Sequence, residues 1–205
     1  MPGQQLHSEG LVLSRRPPTD RFQQLAVLTP EQGVLTCLRR LTTRPAGPAV
    51  ALDLFDEADF FFESSNQGRT WFIREVRLLG RHADIGQSYD TLRLACGFAA
   101  TLARNPGSEE GRARVYDLAR RTFAAFNGAR RSDLVYLKGL YSFARDEGYP
   151  VKQDWWQNLP PPERGPAADM LSRPVSEQTA GADAVARLTR RLEDYLRAYT
   201  EILLE

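Results

Sequence analysis

The chain has 205 residues, of which 42% are hydrophobic and 26% are charged, and its formal net charge is +1 at pH 7. This composition is typical of a soluble globular protein, and the small net charge excludes a strongly basic one. No stretch approaches the roughly 18 apolar residues that a membrane helix needs, and residues 1–10 lack the features of a signal peptide. We therefore expect a cytoplasmic protein in which any nucleic-acid binding comes from local clusters of basic residues.

Short apolar segments separated by turn residues fill the first 80 residues of the chain. Residues 50–55 place Val50, Leu52 and Leu54 on one side, which is the period of a half-buried strand. Two later segments flank Asn66-Gln67-Gly68, a favourable turn for a β-hairpin. The predicted strands are residues 11–13, 22–28, 34–38, 50–55, 60–63 and 70–78. Five or six short strands of this kind predict a small barrel or sandwich.

In the second part of the chain, the apolar residues recur with the period of an α-helix. Residues 88–104 form the first predicted helix, and a second begins near Ser108. Ser132 is a candidate N-cap for a third helix, whose apolar residues lie nearly all round it and predict a buried position. A short helix is predicted from Pro166, and the last helix carries one apolar stripe over residues 185–203.

A run of strands followed by a run of helices predicts segregated elements rather than alternating βα units. The fold class expected from this order is α+β, with an all-β domain followed by an all-helical domain. The pattern changes at residue 83, which predicts a first domain over residues 1–82 and a second over residues 83–205.

The sequence offers little for catalysis. Its two histidines, His7 and His82, do not stand near a cysteine or a nucleophilic serine in the chain. No CxxC, HExxH or GxxxxGK[ST] pattern is present, and Cys37 and Cys96 are expected to be free thiols that pack as small hydrophobic residues. We therefore expect a protein that is not an enzyme, without catalytic residues, metal or cofactor. An acid–base role for His82 is the remaining enzyme hypothesis.

A local acidic cluster begins within the predicted fourth strand and continues beyond its end. Two interpretations remain open for it: a solvated strand edge, which is the usual structure of such a run, or a site for a divalent cation. The cluster consists of Asp53, Asp56, Glu57 and Asp59.

Arginines fall at the ends of the predicted strands, where paired guanidinium groups cannot both be buried cheaply. OB-folds bind single strands with a basic groove for the backbone and aromatic side chains for the bases. Aromatic residues accompany the arginines here, but strand alternation predicts that Phe60, Phe62 and Trp71 belong to the core. The candidate nucleic-acid-binding residues are Arg15, Arg16, Arg21, Arg39, Arg40, Arg44 and Arg74.

Basic residues also cluster in the helical part of the chain. Beside exposed apolar side chains, they would form a pocket for an acidic, hydrophobic peptide tail. On the sequence alone, ordinary solvated helix ends are the favoured alternative. The candidate partner-binding residues are Arg120, Arg121, Arg130, Arg131 and Lys138.

Two N-terminal segments carry a resemblance to a known family. Residues 10–17 (GLVLSRRP) and 25–33 (LAVLTPEQG) resemble the start of the RecO family, in which an apolar strand and a polar turn precede a second strand ending in a similar turn. The strand over residues 34–40 ends in basic residues, as it does in that family. The helix that ends at Gly148-Tyr149-Pro150 is also similar.

The resemblance implies an N-terminal OB-fold β-barrel followed by an all-helical domain. It also implies a DNA repair and recombination mediator that binds single- and double-stranded DNA and anneals complementary strands. The implied partners are RecR and the C-terminal tail of single-strand binding protein, with RecA loading as the outcome and a nucleoid-associated position in the cytoplasm. Residues 151–159 contain no cysteine, where many members carry a four-cysteine zinc module, so no zinc is expected.

A second hypothesis belongs to another class. A protein-interaction adaptor on a RecO-like scaffold, with little affinity for DNA, is consistent with the near-neutral net charge. It predicts partner binding without DNA retention, whereas the mediator hypothesis predicts DNA binding that depends on the arginines of the barrel.

Overall fold

The computed structural model describes residues 4–19, 21–41, 50–64 and 67–204. Contacts within the chain define two compact units. The barrel unit comprises Met1–His82 and Pro106–Arg120, and the helical unit comprises Ala83–Asn105 and Arg121–Glu205. The barrel unit thus includes a segment beyond residue 82, while the predicted domain boundary itself stays a prediction.

Five strands of the described residues form a closed barrel. They are β1 (Gln4–Arg15), β2 (Phe22–Thr29), β3 (Gly33–Arg40), β4 (Glu57–Ser64) and β5 (Trp71–Gly80). Their order around the barrel is β1-β2-β3-β5-β4, in which β3 and β5 are parallel and the other neighbours antiparallel. This five-stranded barrel is OB-fold-like, and the helices that follow it confirm the expected α+β fold class.

The inner face of the barrel is a continuous apolar core, because alternate residues of each strand point inward. Phe60 and Phe62 of β4 are fully buried, and their rings stack with centroids 5.1 Å apart. Trp71 of β5 meets Phe62 edge-on at 6.3 Å. Gly10 of β1 leaves room for this core, since a Cβ atom there would lie 2.5 Å from Val27 Cγ1. The structure confirms that the three aromatic residues belong to the core.

Residues 50–55 form no strand, so the prediction of a strand there is wrong. The N–H of Asp53 donates to the carboxylate of Asp56 at 2.8 Å, a local side-chain bond that competes with strand pairing. Phe55 adopts a φ of 65°, which turns the chain, and its N–H donates to the carbonyl of Val12 at 2.8 Å. The apolar alternation of this segment therefore reflects a turn packed against β1.

Six α-helices lie among the described residues after the barrel strands. They are α1 (Tyr89–Arg104), α2 (Arg112–Phe126), α3 (Ser132–Asp146), α4 (Trp156–Asn158), α5 (Pro161–Ser172) and α6 (Ala182–Tyr199). A π-helical turn, Val151–Trp155, leads into α4, and short 3₁₀ turns precede α1, α2 and α6. Among the helices of the described ranges, none has the length and apolar character that crossing a membrane requires.

The helical unit is organised around α3, as its all-round apolar pattern predicts. Leu134, Leu137, Leu140 and Phe143 are fully buried. Gly139 permits close packing, because a Cβ atom there would lie 3.2 Å from the ring of a phenylalanine of α1. Helices α1 and α6 pack against α3, which places the three helices side by side.

The apolar stripe of α6 is buried only in part. Val185, Leu188 and Leu192 are buried as predicted, but Tyr199 is 73% exposed and Leu203 is 59% exposed. The helix prediction is wrong beyond Tyr199, because α6 ends at that residue and the chain after it is no longer helical.

Two of the predicted helix starts also need correction. Arg131, not Ser132, is the N-cap of α3, and no side chain caps that end. Helix α5 begins at Pro161 rather than near Pro166, because proline is tolerated in the first turn, where its missing N–H would have no helical partner. Ser108 does accept a hydrogen bond from the N–H of Gly111, at 3.2 Å, in the 3₁₀ turn that precedes α2.

Candidate nucleic-acid interface

Side chains from four neighbouring strands meet on the outer face of the barrel. Trp71 and Ile73 of β5 point inward, so that Phe72 and Arg74 point outward. The same alternation turns the even-numbered residues of β2 and β3 and the odd-numbered residues of β4 outward. The resulting patch, called here the outer platform, surrounds a cavity of about 180 Å³ and consists of Phe22, Leu38, Arg40, Glu63, Phe72 and Arg74.

The strand register places these side chains next to one another. Leu38 of β3 pairs with Phe72 of β5, and Phe72 pairs in turn with Glu63 of β4. Phe22 of β2 pairs with Arg40 of β3. Because neighbouring strands lie about 4.8 Å apart, the outer platform spans roughly 14 Å across the four strands.

Two phenylalanines form part of the apolar surface of the outer platform. The ring centroids of Phe22 and Phe72 lie 6.0 Å apart with an interplanar angle of 67°, which is an edge-to-face contact. The guanidinium carbon of Arg74 lies 5.8 Å from the Phe72 centroid, within cation–π range. Both rings are half-buried, so part of each remains accessible to a ligand.

Exposed arginines lie at the adjoining ends of β1, β2 and β3. Arg16 follows β1, Arg21 precedes β2, and Arg40 ends β3. A hydrogen bond of 2.8 Å from the N–H of Leu41 to the carbonyl of Arg21 joins the start of β2 to the end of β3. None of the three guanidinium groups forms an ion pair with another residue of the described ranges. No carboxylate of the described residues neutralises their charge.

Arg74 differs from these arginines because it has a partner inside the outer platform. Its Nε donates to Oε2 of Glu63 at 2.5 Å. This ion pair fixes both side chains beside the ring of Phe72. Of the remaining predicted residues, Arg44 lies outside the described ranges.

Arg15 and Arg39 are directed toward the turn that precedes β4. Arg15 donates to the carbonyl of Leu52 at 3.4 Å and lies 3.5 Å from a carboxylate oxygen of Asp53. Arg39 donates to the carbonyl of Val50, and burial lowers the pKa of its guanidinium. Two of the predicted arginines, Arg40 and Arg74, thus line the outer platform, and Arg15 and Arg39 contact residues 50–53 instead.

The acidic cluster stabilises the barrel through hydrogen bonds with arginines of β5 and of the residues just after it. Asp56 is completely buried and accepts hydrogen bonds from Nε and a terminal nitrogen of Arg81, at 2.9 and 2.7 Å. Asp59 accepts one from Arg77 at 3.1 Å and lies 2.8 Å from Nε2 of His7. A solvated strand edge is therefore the wrong prediction for Asp56. In the described part of the chain, no group of three acidic, histidine or cysteine side chains is placed to hold a metal ion.

Two of the cationic residues predicted to bind a partner form hydrogen bonds within the helical unit instead. The ammonium of Lys138 donates to the carbonyls of Met170, Leu171 and Arg173, at 3.2, 3.0 and 2.6 Å, and so completes the C-terminal end of α5. Burial lowers the pKa of this lysine. Arg131 forms a two-pronged ion pair with the carboxylate of Asp133, with both contacts at 2.9 Å.

The other three predicted cations are exposed. Arg120 and Arg121 lie in α2, and Arg130 lies in the connection between α2 and α3. Arg120 lies 3.9 Å from a carboxylate oxygen of Asp117, one turn away on the same helix. Such exposed pairs contribute little to stability.

A groove of about 440 Å³ lies between α1, α3 and α6; it is called here the helical groove. Two acidic side chains line it: Asp133, which pairs with Arg131, and Glu193, which accepts a hydrogen bond from the hydroxyl of Tyr136 at 3.1 Å. Arg93 and Arg190 line the helical groove and form no ion pair with other residues of the described ranges. The sequence did not reveal this pair, because the two arginines are far apart in the chain and meet only through helix packing.

Comparison of the sequence with protein-family models finds no match, and comparison with curated proteins finds none either. The resemblance to the RecO family therefore stays an expectation from the sequence motifs.

Proposed function

We propose that this protein is a RecO-like DNA repair mediator whose barrel binds single-stranded DNA across the outer platform. The observation that carries the proposal is the accessible pair Phe22 and Phe72 beside Arg40, which forms no ion pair with the other described residues. Aromatic rings on a basic surface are what OB-folds use to hold unpaired strands, because every base has a face that can stack.

In this proposal, the rings and the arginines have different roles. Bases stack on Phe72 and Phe22. The phosphates are bound by Arg16, Arg21 and Arg40, at the adjoining ends of β1, β2 and β3. A planar guanidinium group suits both phosphate oxygens and the edge of a stacked ring. Arg74 joins these contacts through its position over Phe72.

The proposal also includes strand annealing, duplex binding and interaction with partner proteins. A single strand whose phosphates are bound is held open, and the bases beyond those stacked on the outer platform stay free to pair with a complement. Contacts to phosphates alone allow weaker binding of duplex DNA. The resemblance to the RecO family adds two partners, RecR and the tail of single-strand binding protein. Binding of both would lead to RecA loading.

The experiment is fluorescence anisotropy of a labelled 15-mer of thymidine, titrated with the protein at several salt concentrations. Four phosphate contacts predict a slope of about −3 in a plot of log K against log salt, at about −0.7 for each contact. The double variant Arg16→Ala/Arg40→Ala should reduce the magnitude of this slope by about half. The control Arg77→Ala/Arg114→Ala removes the same charge away from the outer platform and should preserve the slope. Absence of binding at low salt overturns the proposal.

The helical groove favours a second function, that of a protein-interaction adaptor. Arg93 and Arg190 present positive charge beside the aromatic ring of Tyr136. An acidic peptide with an apolar end, such as the tail of single-strand binding protein, matches this combination. Anisotropy of a labelled acidic peptide, with Arg93→Ala/Arg190→Ala as the test variant, separates the two functions. Peptide binding without DNA binding would leave the adaptor as the function of the chain.

A further inference from the structure

Among the described residues, Glu63 is the one acidic side chain that lines the cavity of the outer platform. It pairs with Phe72 across the β4–β5 ladder, so its carboxylate lies beside the ring on which a base would stack. A carboxylate repels phosphates, and its presence does not help a surface whose only task is to hold a DNA backbone. Its position instead suits the edge of a stacked base, where hydrogen-bond donors are found.

The ion pair with Arg74 holds this carboxylate in place. Oε2 accepts the hydrogen bond from Arg74 Nε, and the Glu63 side chain remains 34% exposed. A carboxylate has about four sites for accepting hydrogen bonds, so one bond to Arg74 leaves most of them available. The acceptor is therefore oriented before any ligand arrives, and orientation in advance reduces the entropy cost of binding.

The four bases differ in the donors that they offer to such an acceptor. Guanine carries N1–H and N2–H side by side, which match the two oxygens of one carboxylate. Cytosine and adenine offer one exocyclic amino group each, and thymine offers a single N3–H between two carbonyls that repel the carboxylate. A correctly placed pair of hydrogen bonds therefore favours guanine over thymine most strongly.

We propose that Glu63 makes the outer platform select an unpaired guanine in a DNA single strand, with the base stacked on Phe72 and its N1–H and N2–H donating to the carboxylate. This selectivity rests on the proposed function of the outer platform. The cavity of about 180 Å³ is smaller than the roughly 300–1,000 Å³ of drug-sized ligand pockets and admits one planar base.

The experiment uses the full chain and four labelled 15-mers that differ at the central position. The background is thymidine, and the central base is thymine, cytosine, guanine or hypoxanthine. The wild type should bind the guanine probe at least about fivefold more tightly than the all-thymine probe. The hypoxanthine probe should lose most of this advantage, because hypoxanthine keeps N1–H but lacks the N2 amino group.

The variant Glu63→Gln keeps the shape of the side chain and replaces one acceptor with a donor. It should reduce the ratio of guanine to thymine affinity to within about twofold. Affinity for the all-thymine probe should hold or rise, since a negative charge has been removed. Glu75→Gln is the matched control, because Glu75 is an exposed acid on the same ladder that lies outside the cavity, and it should preserve the ratio. Glu63→Asp, which keeps the charge on a shorter side chain, should give an intermediate ratio.

The outcomes separate this inference from the function on which it rests. Equal wild-type affinity for all four probes overturns the guanine selectivity and leaves single-strand binding intact. A Glu63→Gln variant that binds every probe more tightly by the same factor also overturns it, because the carboxylate then acts only by repelling phosphates. Failure to bind any probe overturns the proposed function and this inference together.

Discussion

The inner and outer faces of β5 use neighbouring aromatic residues for different purposes. Trp71 is only 7% exposed and packs edge-on against Phe62, whereas Phe72 is half-buried and meets Phe22 and Arg74 on the outside. One step along the strand moves a ring from the core to the outer platform. Strand alternation, and not residue type, therefore decides which aromatic side chains stabilise the barrel and which are exposed for stacking with a base.

The largest effect should follow removal of a ring from the inner face. Phe62→Ala leaves a cavity among fully buried neighbours and should lower the free energy of unfolding by about 3–5 kcal/mol. Urea denaturation followed by circular dichroism measures this loss. A loss under about 1 kcal/mol would contradict the assignment of Phe62 to a tightly packed core.

Removal of the outer ring should change binding instead of stability. Phe72→Ala should weaken single-strand binding by about five- to 150-fold, the range measured for loss of a base–aromatic stack. Affinity for duplex DNA should change less than about twofold, because paired bases are not free to stack on the protein. Parallel titrations with single-stranded and duplex probes measure the change in affinity for each kind of DNA. Equal weakening of both would show that Phe72 does not stack with bases.

The two lysines of the chain should differ in their contribution to the free energy of unfolding. Lys138→Met keeps the aliphatic stem but removes three hydrogen bonds to the end of α5, and should lower the free energy of unfolding by about 1–3 kcal/mol. Lys152→Met, at an exposed position, is the matched control and should have little effect. Neither variant should alter DNA binding, and loss of DNA affinity in Lys138→Met would place a phosphate contact in the helical unit.

The smallest effect concerns the pH dependence of stability. Burial lowers the pKa of His82 below its usual 6.5, despite the opposing charges of Glu57 and Asp56. Because the folded pKa is the lower one, the contribution of His82 to stability is present above pH 6.5 and is lost as the pH falls through the folded pKa. His82→Gln should therefore lose less stability than the wild type between pH 7.5 and pH 5.5 in urea denaturation. An identical loss in the two proteins would contradict burial of the neutral imidazole.

Much of the barrel follows from local patterns in the sequence. The strand over residues 22–28, the hairpin around Gly68 and the inward position of Phe60 and Phe62 are visible as alternation between turn residues. Such patterns report the local period of the backbone and the side of the sheet on which each residue lies. Residues 50–55 show the same alternation, yet a side-chain hydrogen bond and the left-handed Phe55 make them a turn.

The candidate site was only partly predictable, because side-chain partners depend on tertiary packing. The sequence placed Arg16, Arg21 and Arg40 near one another through the strand ends. It did not reveal that Arg39 is held by the carbonyl of Val50, nor that Phe22 joins the outer platform. The position of Phe22 was available as a signal, since it lies an odd number of residues from the buried Leu25.

The most direct measurement is photo-crosslinking of the wild type to a single strand that contains 5-iodouracil, followed by peptide mapping. This chemistry joins a base to an aromatic side chain that stacks on it. Crosslinks at Phe72 or Phe22 are the predicted result. Crosslinks confined to residues 83–105 or 121–204, with none in the barrel strands, would contradict the claim that the outer platform holds the bases.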